Sequence, residues 1–276
     1  MKIIKPQLLK QGDTIGILAV SGCMEDDTNL KRAVEFFKNR GFNVKLSDNI
    51  YSKKSYLAGS DDERVDALHN MFLDKSVNAI IALRGGYGAI RLLDKIDYDI
   101  IRNNAKIFCG YSDITVLNAM FLKRANLMTY SAPMILSDFG CENICRYTVD
   151  KFFETVMYDK FDYSGAFWGG NLASLTSLCG LDFVPDFEFN LFLEDLNEPV
   201  YKIDRMMNQL MNIDKLRKNI RAIYLGDFLD IDDEIRFNEL FDEISKNLNV
   251  PAIKGFPASH GAKKLTIPYG LSIKNE

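Results

Sequence analysis

Short apolar runs alternate with segments of helical periodicity through the first half of the chain. Residues 14–20, 42–46 and 77–83 are the short runs. Between them, apolar residues recur every three or four positions, as on the buried face of a helix: Leu30, Ala33, Val34 and Phe37, then Val65, Leu68 and Phe72. This alternation predicts parallel strands joined by right-handed helical crossovers, and therefore an α/β fold in the first half.

Local signals mark the ends of the predicted helices. Ser60 and Glu63 have the spacing of a capping box, in which each side chain bonds to the other residue's backbone N–H. Gly41 follows the first helix as a C-terminal stop. A short helix over residues 89–97 leads to a strand that ends just before Ser112.

The pattern loosens over residues 131–165 and becomes regular again in the second half. One helix is predicted in the loose stretch, and its aromatic residues are expected to lie in the core rather than at an interface: Phe152, Phe153 and Phe161. Further elements are predicted in this order: strand 190–194, helix 203–211, strand 220–225, helix 234–248 and a short segment at 265–268. The simplest organisation is two domains, 1–130 and 166–276, with the site between them and residues 131–165 as a connection.

Composition disfavours several classes of protein. A net charge of −4 over 276 residues, without a basic arm, argues against a nucleic-acid partner. No apolar run reaches the roughly 18 residues of a membrane span, and the N-terminus lacks a signal core, so a cytoplasmic protein is expected. The five cysteines include no CxxC pair and are expected to be reduced thiols. Cys141 and Cys145 have no further ligands nearby, so no metal site is expected there.

Three loops containing glycine or serine follow predicted strands of the first half: 21–22, 84–88 and 110–112. Because ligands of parallel sheets bind beyond the carboxyl ends of the strands, this edge is predicted to carry the site. The loop at 84–88 lacks the glycine spacing of a dinucleotide fingerprint, and no Lys-Ser/Thr follows it as in a P-loop. Phosphate binding there is therefore disfavoured.

Ser112 is the candidate nucleophile, because a serine on a strand-to-helix turn is exposed and faces the positive end of the helix. Only two histidines are available to serve it. His69 lies on the capped helix and is expected at the helix surface, whereas His260 lies in a loop rich in Gly and Pro. The sequence therefore predicts a pair of Ser112 and His260. The alternatives are that Ser112 or Asp113 only caps the helix, and that His260 is merely solvated.

Glu194 is the candidate partner of His260. It ends an apolar strand, where a buried carboxylate requires a compensating group. The alternative is a strand-end ion pair between Glu194 and Lys202 or Arg205.

The predicted oxyanion donors are two backbone N–H groups at the same sheet edge. One belongs to Asp113, directly after Ser112, and the other to Gly86, where the absent side chain lets the backbone approach a substrate. Cys109 is a rival nucleophile, but its place within the strand predicts a buried structural thiol.

Six stretches, taken together, resemble the LD-carboxypeptidase family of serine peptidases, the cytosolic murein tetrapeptide carboxypeptidases. They are YLAGSD at 56–61, LRGGYG at 83–88, GYSDIT at 110–115, GGNL at 169–172, LFLED at 191–195 with YKIDR at 201–205, and HG at 260–261 before IPYG at 267–270. The likeness covers nearly the whole chain in order. Two stretches depart from the family pattern, YSAP at 130–133 in place of a His-Gly-Pro run and Ser259 in place of a glycine. Both are expected to alter the pocket shape and to leave the triad intact.

The resemblance implies a role for each candidate residue. Ser112 is the nucleophile, His260 the general base and Glu194 the residue that orients it, while the N–H groups of Gly86 and Asp113 form the oxyanion hole. The implied fold is α/β, with a Rossmann-like parallel-sheet N-terminal domain and a smaller β-rich α+β C-terminal domain. The implied assembly is a homodimer that needs no metal or organic cofactor.

The implied reaction is hydrolysis of the amide between an L-centre and a C-terminal D-amino acid. The expected case releases D-alanine from a cytosolic murein tetrapeptide during cell-wall recycling. Arg84 is the candidate for binding the substrate carboxylate, and a structural pair with an acidic residue is the alternative. Two other functions remain open: a microcin C-type aminoacyl-nucleotide hydrolase, for which Trp168 is the sole tryptophan to meet the adenine, and a non-catalytic muropeptide sensor.

Overall fold

A computed structural model describes residues 2–270 and arranges them around two sheets. In chain order the strands are β1 (Thr14–Leu18), β2 (Asn43–Leu46), β3 (Ala79–Ala82), β4 (Ile107–Cys109), β5 (Tyr130–Ser131), β6 (Phe167–Asn171), β7 (Phe189–Leu196), β8 (Ile220–Leu229), β9 (Ala252–Lys254) and β10 (Ile267–Pro268). The α-helices are α1 (Thr28–Lys38), α2 (Asp61–Leu73), α3 (Tyr98–Asn103), α4 (Thr115–Ala125), α5 (Arg146–Tyr158), α6 (Leu172–Thr176), α7 (Val200–Met211), α8 (Asp214–Asn219) and α9 (Glu234–Leu248). Turns of 3₁₀-helix lie at Ala89–Leu92 and Ser112–Ile114, and a π turn lies at Ile135–Phe139.

The first sheet has the strand order β10-β5-β4-β3-β1-β2. β1 pairs in parallel with β2 and with β3, and β4 lies in parallel between β3 and β5. Every residue of β3 and β4 is buried, as expected for parallel strands covered on both faces. The predicted alternation of strands and helices in the first half is confirmed.

The chain returns from its second half to complete the first sheet. β10 pairs antiparallel with β5, with Ile267 opposite Ser131. Beside it, Gly270 N–H donates to the carbonyl of Phe167 at the start of β6. The two predicted domains therefore share a sheet, and the boundaries proposed for them stay predictions. Residues 271–276, at the end of the second predicted domain, lie outside the described part of the chain.

The second sheet has the order β6-β7-β8-β9, and all of its pairs are parallel. Helix α6 links β6 to β7, α7 and α8 link β7 to β8, and α9 links β8 to β9. The predicted class, a parallel-sheet N-terminal domain with a separate smaller C-terminal domain, is confirmed. Because helices connect its strands, the second sheet is parallel throughout and contains no hairpins among the described residues.

The elements predicted for the second half are present, and most differ in length. Helix α9 begins and ends at the predicted residues, while β7 and β8 run beyond the predicted strands. Helix α8 and strand β9 were not predicted, because six and three residues are too few for a periodic pattern to be recognised.

The predicted capping box at the start of α2 is confirmed. Glu63 N–H donates to Ser60 Oγ at 3.2 Å, and Ser60 N–H donates to Glu63 Oε2 at 2.7 Å. His69, farther along α2, is half-buried rather than on the helix surface as predicted. Its Nε2 accepts a hydrogen bond from Asp97 N–H at 3.0 Å, and burial lowers its pKa. His69 therefore has a structural contact that its helical position did not indicate.

Helix α5 and the segment directly after it contain the aromatic residues predicted for the core. Phe152 is fully buried and packs against Phe139 with ring centroids 5.0 Å apart. Phe153 and Phe161 are only partly buried and pack at the edge of the core. The predicted core role is thus confirmed for Phe152, and the other two rings border the core.

Two glycines of β6 allow close contacts, one within the second sheet and one between that sheet and the first half of the chain. Gly169 has a φ of +147°, and a Cβ there would overlap the carbonyl oxygen of Phe192 in β7. Gly170 has a φ of +123°, and a Cβ there would lie 2.6 Å from Thr115 Oγ1 and 2.8 Å from the Tyr269 hydroxyl. Both the backbone conformation and the space therefore require glycine.

We expect Gly169→Ala to lower the free energy of unfolding by about 3 kcal/mol or more, since backbone strain and overpacking each cost about 1–3 kcal/mol. Gly180→Ala is the matched control, because Gly180 also has a positive φ but nothing lies within 4 Å of its Cβ position. It should cost only about 1–2 kcal/mol. Urea unfolding followed by circular dichroism gives both values, and equal losses would contradict the proposed close approach.

Candidate active site

Ser112 lies on a strained turn between β4 and α4. It is half-buried, and its φ of +59° is in the left-handed region that non-glycine residues seldom adopt. Neither the turn nor α4 has a side-chain N-cap hydrogen bond. The alternative that Ser112 or Asp113 only caps the helix is therefore wrong.

The carboxylate of Asp113 joins the three predicted loops. It accepts hydrogen bonds from Ser21 Oγ at 2.6 Å and from Ala89 N–H at 2.8 Å, which come from the loops after β1 and β3. Burial raises the pKa of Asp113, and these donors oppose that effect. The three loops thus meet at one edge of the sheet, and the backbone of Asp113 is fixed next to Ser112.

Because Gly85 has no side chain, Ser112 can pack directly against it. A Cβ on Gly85 would lie 2.8 Å from Ser112 Cβ, 2.9 Å from Ser112 Oγ and 3.5 Å from Asp113 N. The next residue, Gly86, is exposed and has a φ of +120°, which again favours glycine. The backbone of the 84–88 loop therefore runs directly beside the candidate nucleophile.

Arg84 is half-buried and bonds only to carbonyl groups. Its Nε donates to Gly85 O at 3.3 Å, and its Nη1 donates to Cys23 O at 3.2 Å. Within residues 2–270 it forms no ion pair, so the alternative of a structural partner among the acidic residues is wrong for this part of the chain. Its charge acts on Glu25 only at longer range: the pKa of that exposed carboxyl is lowered chiefly by Lys53 and to a lesser degree by Arg84.

His260 and Glu194 form a close pair from two different elements. His260 Nδ1 lies 2.6 Å from Glu194 Oε2, with exposed fractions of 15% and 4% for the two side chains. Since an ionised carboxylate only accepts hydrogen bonds, Nδ1 carries the proton and Nε2 is left free to accept one. Lys202 pairs with Glu198 instead, at 3.4 Å, so the alternative partner for Glu194 is not the one observed.

Glu194 has few other stabilising contacts. Its Oε1 is buried and meets no hydrogen-bond donor among the described residues. Its neighbour Asp195 is bonded elsewhere, to Asn171 Nδ2 and to Ala173 N–H, each at 2.9 Å. His260 is therefore the principal partner of this buried carboxylate.

Tyr111 places His260 beside the nucleophile turn. The Tyr111 ring contacts the imidazole edge to face, with centroids 5.0 Å apart, and Tyr111 directly precedes Ser112. In the described part of the chain no hydrogen bond joins Ser112 to His260, and such bonds often tighten only when substrate binds. The structure thus brings together Ser112, His260 and Glu194 from three distant stretches of sequence.

Backbone contacts fix the loop that carries His260. Ala258 lies against Gly226 of β8, where a Cβ would overlap the Ala258 carbonyl oxygen, and that oxygen accepts from Asp227 N–H at 2.9 Å. On the other side of His260, Thr148 Oγ1 donates to Ala262 O at 2.6 Å. The loop is therefore held both by the second sheet and by the first turn of α5.

An ion pair near His260 was not predicted from the sequence. Lys264 Nζ and Asp138 Oδ1 are 2.5 Å apart, and the ammonium lies 4.2 Å from the centroid of the Tyr111 ring. The two charged residues lie far apart in sequence, so no spacing pattern could have joined them. The only sequence signal was a lysine directly before the apolar stretch that forms β10.

Two other candidates from the sequence lie in the core. Cys109 is fully buried, and burial raises the pKa of its thiol, so the prediction of a structural thiol is confirmed. Trp168 is also fully buried and packs on Phe189 with ring centroids 5.0 Å apart, so its ring is not available to a ligand. In the part of the chain that the structure describes, no three His, Cys, Asp or Glu residues cluster as a metal site would require, and no helix could span a bilayer.

The chain matches the two domains of one known family. Residues 15–132 match the LD-carboxypeptidase N-terminal domain, and residues 164–274 match the LD-carboxypeptidase C-terminal domain.

Known proteins that are similar to this chain over nearly its full length support the same family. A probable murein peptide carboxypeptidase of Bacillus subtilis is 33% identical, over 96% of this chain and 89% of the relative. The crystal structure of a muramoyltetrapeptide carboxypeptidase from Oxalobacter formigenes is 31% identical and has a TM-score of 0.83, covering 93% of this chain and 92% of that one. The microcin C7 self-immunity protein MccF of Escherichia coli is 26% identical, over 96% of this chain and 91% of the relative.

The resemblance found in the sequence motifs is thereby confirmed, together with the predicted class of enzyme, a peptidase of the carboxypeptidase type. The chain belongs to the LD-carboxypeptidase family.

Proposed function

We propose that the protein is a serine LD-carboxypeptidase that releases D-alanine from a murein tetrapeptide, by hydrolysing the amide between an L-centre and the terminal D-amino acid. The observation that carries the proposal is the pair of His260 and Glu194, 2.6 Å apart, set against the Ser112 turn by Tyr111. The murein substrates named for the Bacillus and Oxalobacter relatives support the choice of substrate.

In this proposal the first half-reaction forms an acyl-enzyme. Ser112 Oγ attacks the carbonyl carbon of the scissile amide while His260 Nε2 takes the hydroxyl proton. Glu194 holds Nδ1–H and stabilises the imidazolium that results. His260 then gives the proton to the nitrogen of the departing D-alanine, and the C–N bond breaks.

The oxyanion that forms during the attack needs donors fixed in advance. The proposed donors are the N–H groups of Gly86 and Asp113. The contacts of the Asp113 carboxylate with Ser21 and Ala89 support this assignment, because they hold the Asp113 backbone in place before substrate arrives. In the second half-reaction His260 activates water, which releases the peptide from Ser112 by the reverse sequence of proton transfers.

Arg84 is proposed to bind the carboxylate of the terminal D-amino acid. Its guanidinium forms no close ion pair with an acidic residue within residues 2–270, and its loop lies beside Ser112. A carboxylate bound there would place the scissile amide one residue inward, over the nucleophile turn. This arrangement restricts the enzyme to carboxypeptidase action, because an internal amide has no carboxylate at that distance.

The proposal includes a cytoplasmic enzyme that acts on murein peptides as a homodimer. Free thiols at Cys23, Cys109, Cys141, Cys145 and Cys179 are consistent with a reducing compartment. The homodimer follows from the family resemblance alone.

A second candidate function is hydrolysis of an aminoacyl nucleotide, supported by the likeness to MccF. The burial of Trp168 weighs against it, since that ring cannot stack on a base. Tyr56 and Tyr87 could offer an alternative surface, because they are 59% and 48% exposed and their centroids lie 5.9 Å apart beside Gly86. The substrate assay below separates the two functions.

We expect wild-type protein to release D-alanine from a murein tetrapeptide, and Ser112→Ala to lose about 10⁴-fold or more of kcat, as removal of a serine nucleophile does. Free D-alanine is measured by mass spectrometry, with the exposed Ser177→Ala as the matched control. Turnover that survives in Ser112→Ala would exclude the serine mechanism. Turnover only of an aminoacyl-nucleotide amide would support the second function, and binding without turnover of either would indicate a sensor.

Glu194→Gln should keep the fold and lower kcat by about 10²–10⁴-fold, because an amide can stabilise the wrong imidazole tautomer and cannot balance the imidazolium. KM should change much less. The measurement is steady-state kinetics on the tetrapeptide. Glu198→Gln is the matched control, because Glu198 lies four residues later, just after β7. A kcat equal to that of the control would remove Glu194 from the mechanism.

Arg84→Ala should raise KM by about tenfold or more for a tetrapeptide with a free C-terminus, because a charge-assisted pair with the carboxylate is lost. A substrate with a C-terminal carboxamide should already be poor with wild-type protein and should lose little more in the variant. Kinetics of both proteins on both substrates form a double-mutant cycle. Equal losses on the two substrates would show that Arg84 does not bind this carboxylate.

A further inference from the structure

Lys264 and Asp138 form a buried charged pair behind the candidate active site. Their side chains are only 4% and 5% exposed, and Nζ lies 2.5 Å from Oδ1. A buried ion pair brings little net stability, because removing two charges from water offsets most of their attraction. Stability alone therefore does not account for a buried charged pair at this place.

The pair connects two parts of the chain that carry different catalytic groups. Asp138 lies in the π turn that follows β5, and its other oxygen, Oδ2, accepts from Met134 N–H at 2.8 Å and from Ser137 Oγ at 2.9 Å. Lys264 is four residues after His260, in the loop that Thr148 anchors through Lys264 N–H at 3.0 Å. Asp138 is thus fixed to the first half of the chain, and Lys264 belongs to the loop that carries His260.

The ring of Tyr111 lies between the Lys264–Asp138 pair and the imidazole of His260. One contact of its ring is the Lys264 ammonium, 4.2 Å from the centroid, and another is the edge-to-face contact with His260 at 5.0 Å. The hydroxyl donates to Ser137 Oγ at 3.1 Å, which ties the ring to the π turn that holds Asp138. A cation over an aromatic face is an attractive contact, and it fixes the ring plane against which His260 lies.

We propose that the Lys264–Asp138 pair is a positioning element that acts through Tyr111 to hold the imidazole of His260 between Glu194 and Ser112. The inference rests on the proposed function only for the role of His260, since the contacts themselves are independent of any substrate. Neither charged residue touches the reacting atoms.

Opposite charges in the pair allow its electrostatic coupling to His260 to be tested by titration, and the kcat of the same variants then tests whether the pair positions the imidazole. Lys264→Met leaves the Asp138 carboxylate uncompensated and favours the protonated imidazole, whereas Asp138→Asn leaves the ammonium and disfavours it. The two substitutions should therefore move the titration of His260 in opposite directions, and the double variant should restore it. The other charged and titratable groups around His260 stay constant in all variants: Glu194 and Asp195 of β7, Asp227 of β8, Tyr111, and Lys263 of its own loop.

The experiment is a proton NMR titration of the two imidazoles in the intact chain. Because the chain has only His69 and His260, the signals are resolved, and His69 in α2 serves as the internal reference. We expect the midpoint of His260 to rise by about one pH unit in Lys264→Met, because the charge left behind acts through a medium of effective dielectric constant about 20, and to fall in Asp138→Asn. His69 should not move.

Lys106→Met is the matched control. Lys106 is also a buried lysine, held by the carbonyl of Val77 at 2.6 Å, but it precedes β4 and lies at the end of that strand opposite Ser112. It should lose stability without moving His260 or kcat. Lys264→Met should lower kcat by about ten- to a hundredfold with little change in KM, and Lys264→Arg should restore much of it.

Two further variants keep the test decisive if Lys264→Met does not fold. Tyr111→Leu removes the ring and should lower kcat, while Tyr111→Phe keeps the ring and should retain more activity than Tyr111→Leu. An unchanged kcat in the folded charge variants, with a loss of stability like that of Lys106→Met, would overturn the proposal whatever their His260 titration. The NMR result does not depend on turnover, so failure of the carboxypeptidase assay with normal titration shifts would contradict only the proposed function.

Discussion

The candidate active site depends on one joint between the two sheets. Asn171, the last residue of β6, donates its N–H to Thr115 Oγ1 at 3.2 Å, and Thr115 comes three residues after Ser112. In the register of the second sheet, Asn171 is paired with Glu194. This hydrogen bond therefore links α4, which directly follows the Ser112 turn, to β6, the strand that pairs with the Glu194 strand β7. The Tyr269 hydroxyl supports the same joint by donating to Gly169 O at 2.5 Å.

Four carboxylates are buried in and around the candidate site, and they are stabilised in different ways. Asp113 and Asp195 accept several hydrogen bonds, including backbone N–H groups, and burial raises the pKa of both. Asp138 has a lysine, whereas Glu194 has mainly His260. The first three carboxylates serve to fix the backbone and neighbouring loops. In the proposed mechanism, Glu194 alone directs its charge at a group that itself becomes charged during acyl transfer, which suits it to stabilise that change.

Much of the site could be predicted from the sequence, because its residues lie at the ends of buried strands and because histidine is scarce. Ser112 follows β4, Glu194 lies near the end of β7, and His260 is the only histidine in a loop. Sites form beyond the carboxyl ends of parallel strands, and this physical rule needs no tertiary information. Ser112 and Glu194 belong to different sheets, however, so their meeting depends on how the two sheets pack. The family motifs then added a reaction that residue placement alone did not specify.

The contacts that refine the site could not be predicted in this way. Strands β5 and β10 have two residues each, too few for any periodic signal, so the return of the chain to the first sheet was not foreseen. The left-handed conformation of Ser112 and the pairing of Lys264 with Asp138 arise only when distant stretches pack together. Local pattern identifies which residues are available, and tertiary packing decides which atoms they meet.

The closing of the first sheet by β10 has a consequence for synthesis on the ribosome. β5 has its antiparallel neighbour only after the entire second sheet has been translated, since β10 follows β9 in the chain. Until then one edge of the nucleophile-bearing sheet is open, and an open edge is a site for wrong pairing with other chains. Contacts between residues this far apart in sequence also slow folding, because a long loop must close before they form. The serine is thus translated well before the sheet that presents it can be completed, and the nascent first half emerges as an incomplete structure rather than as a working enzyme.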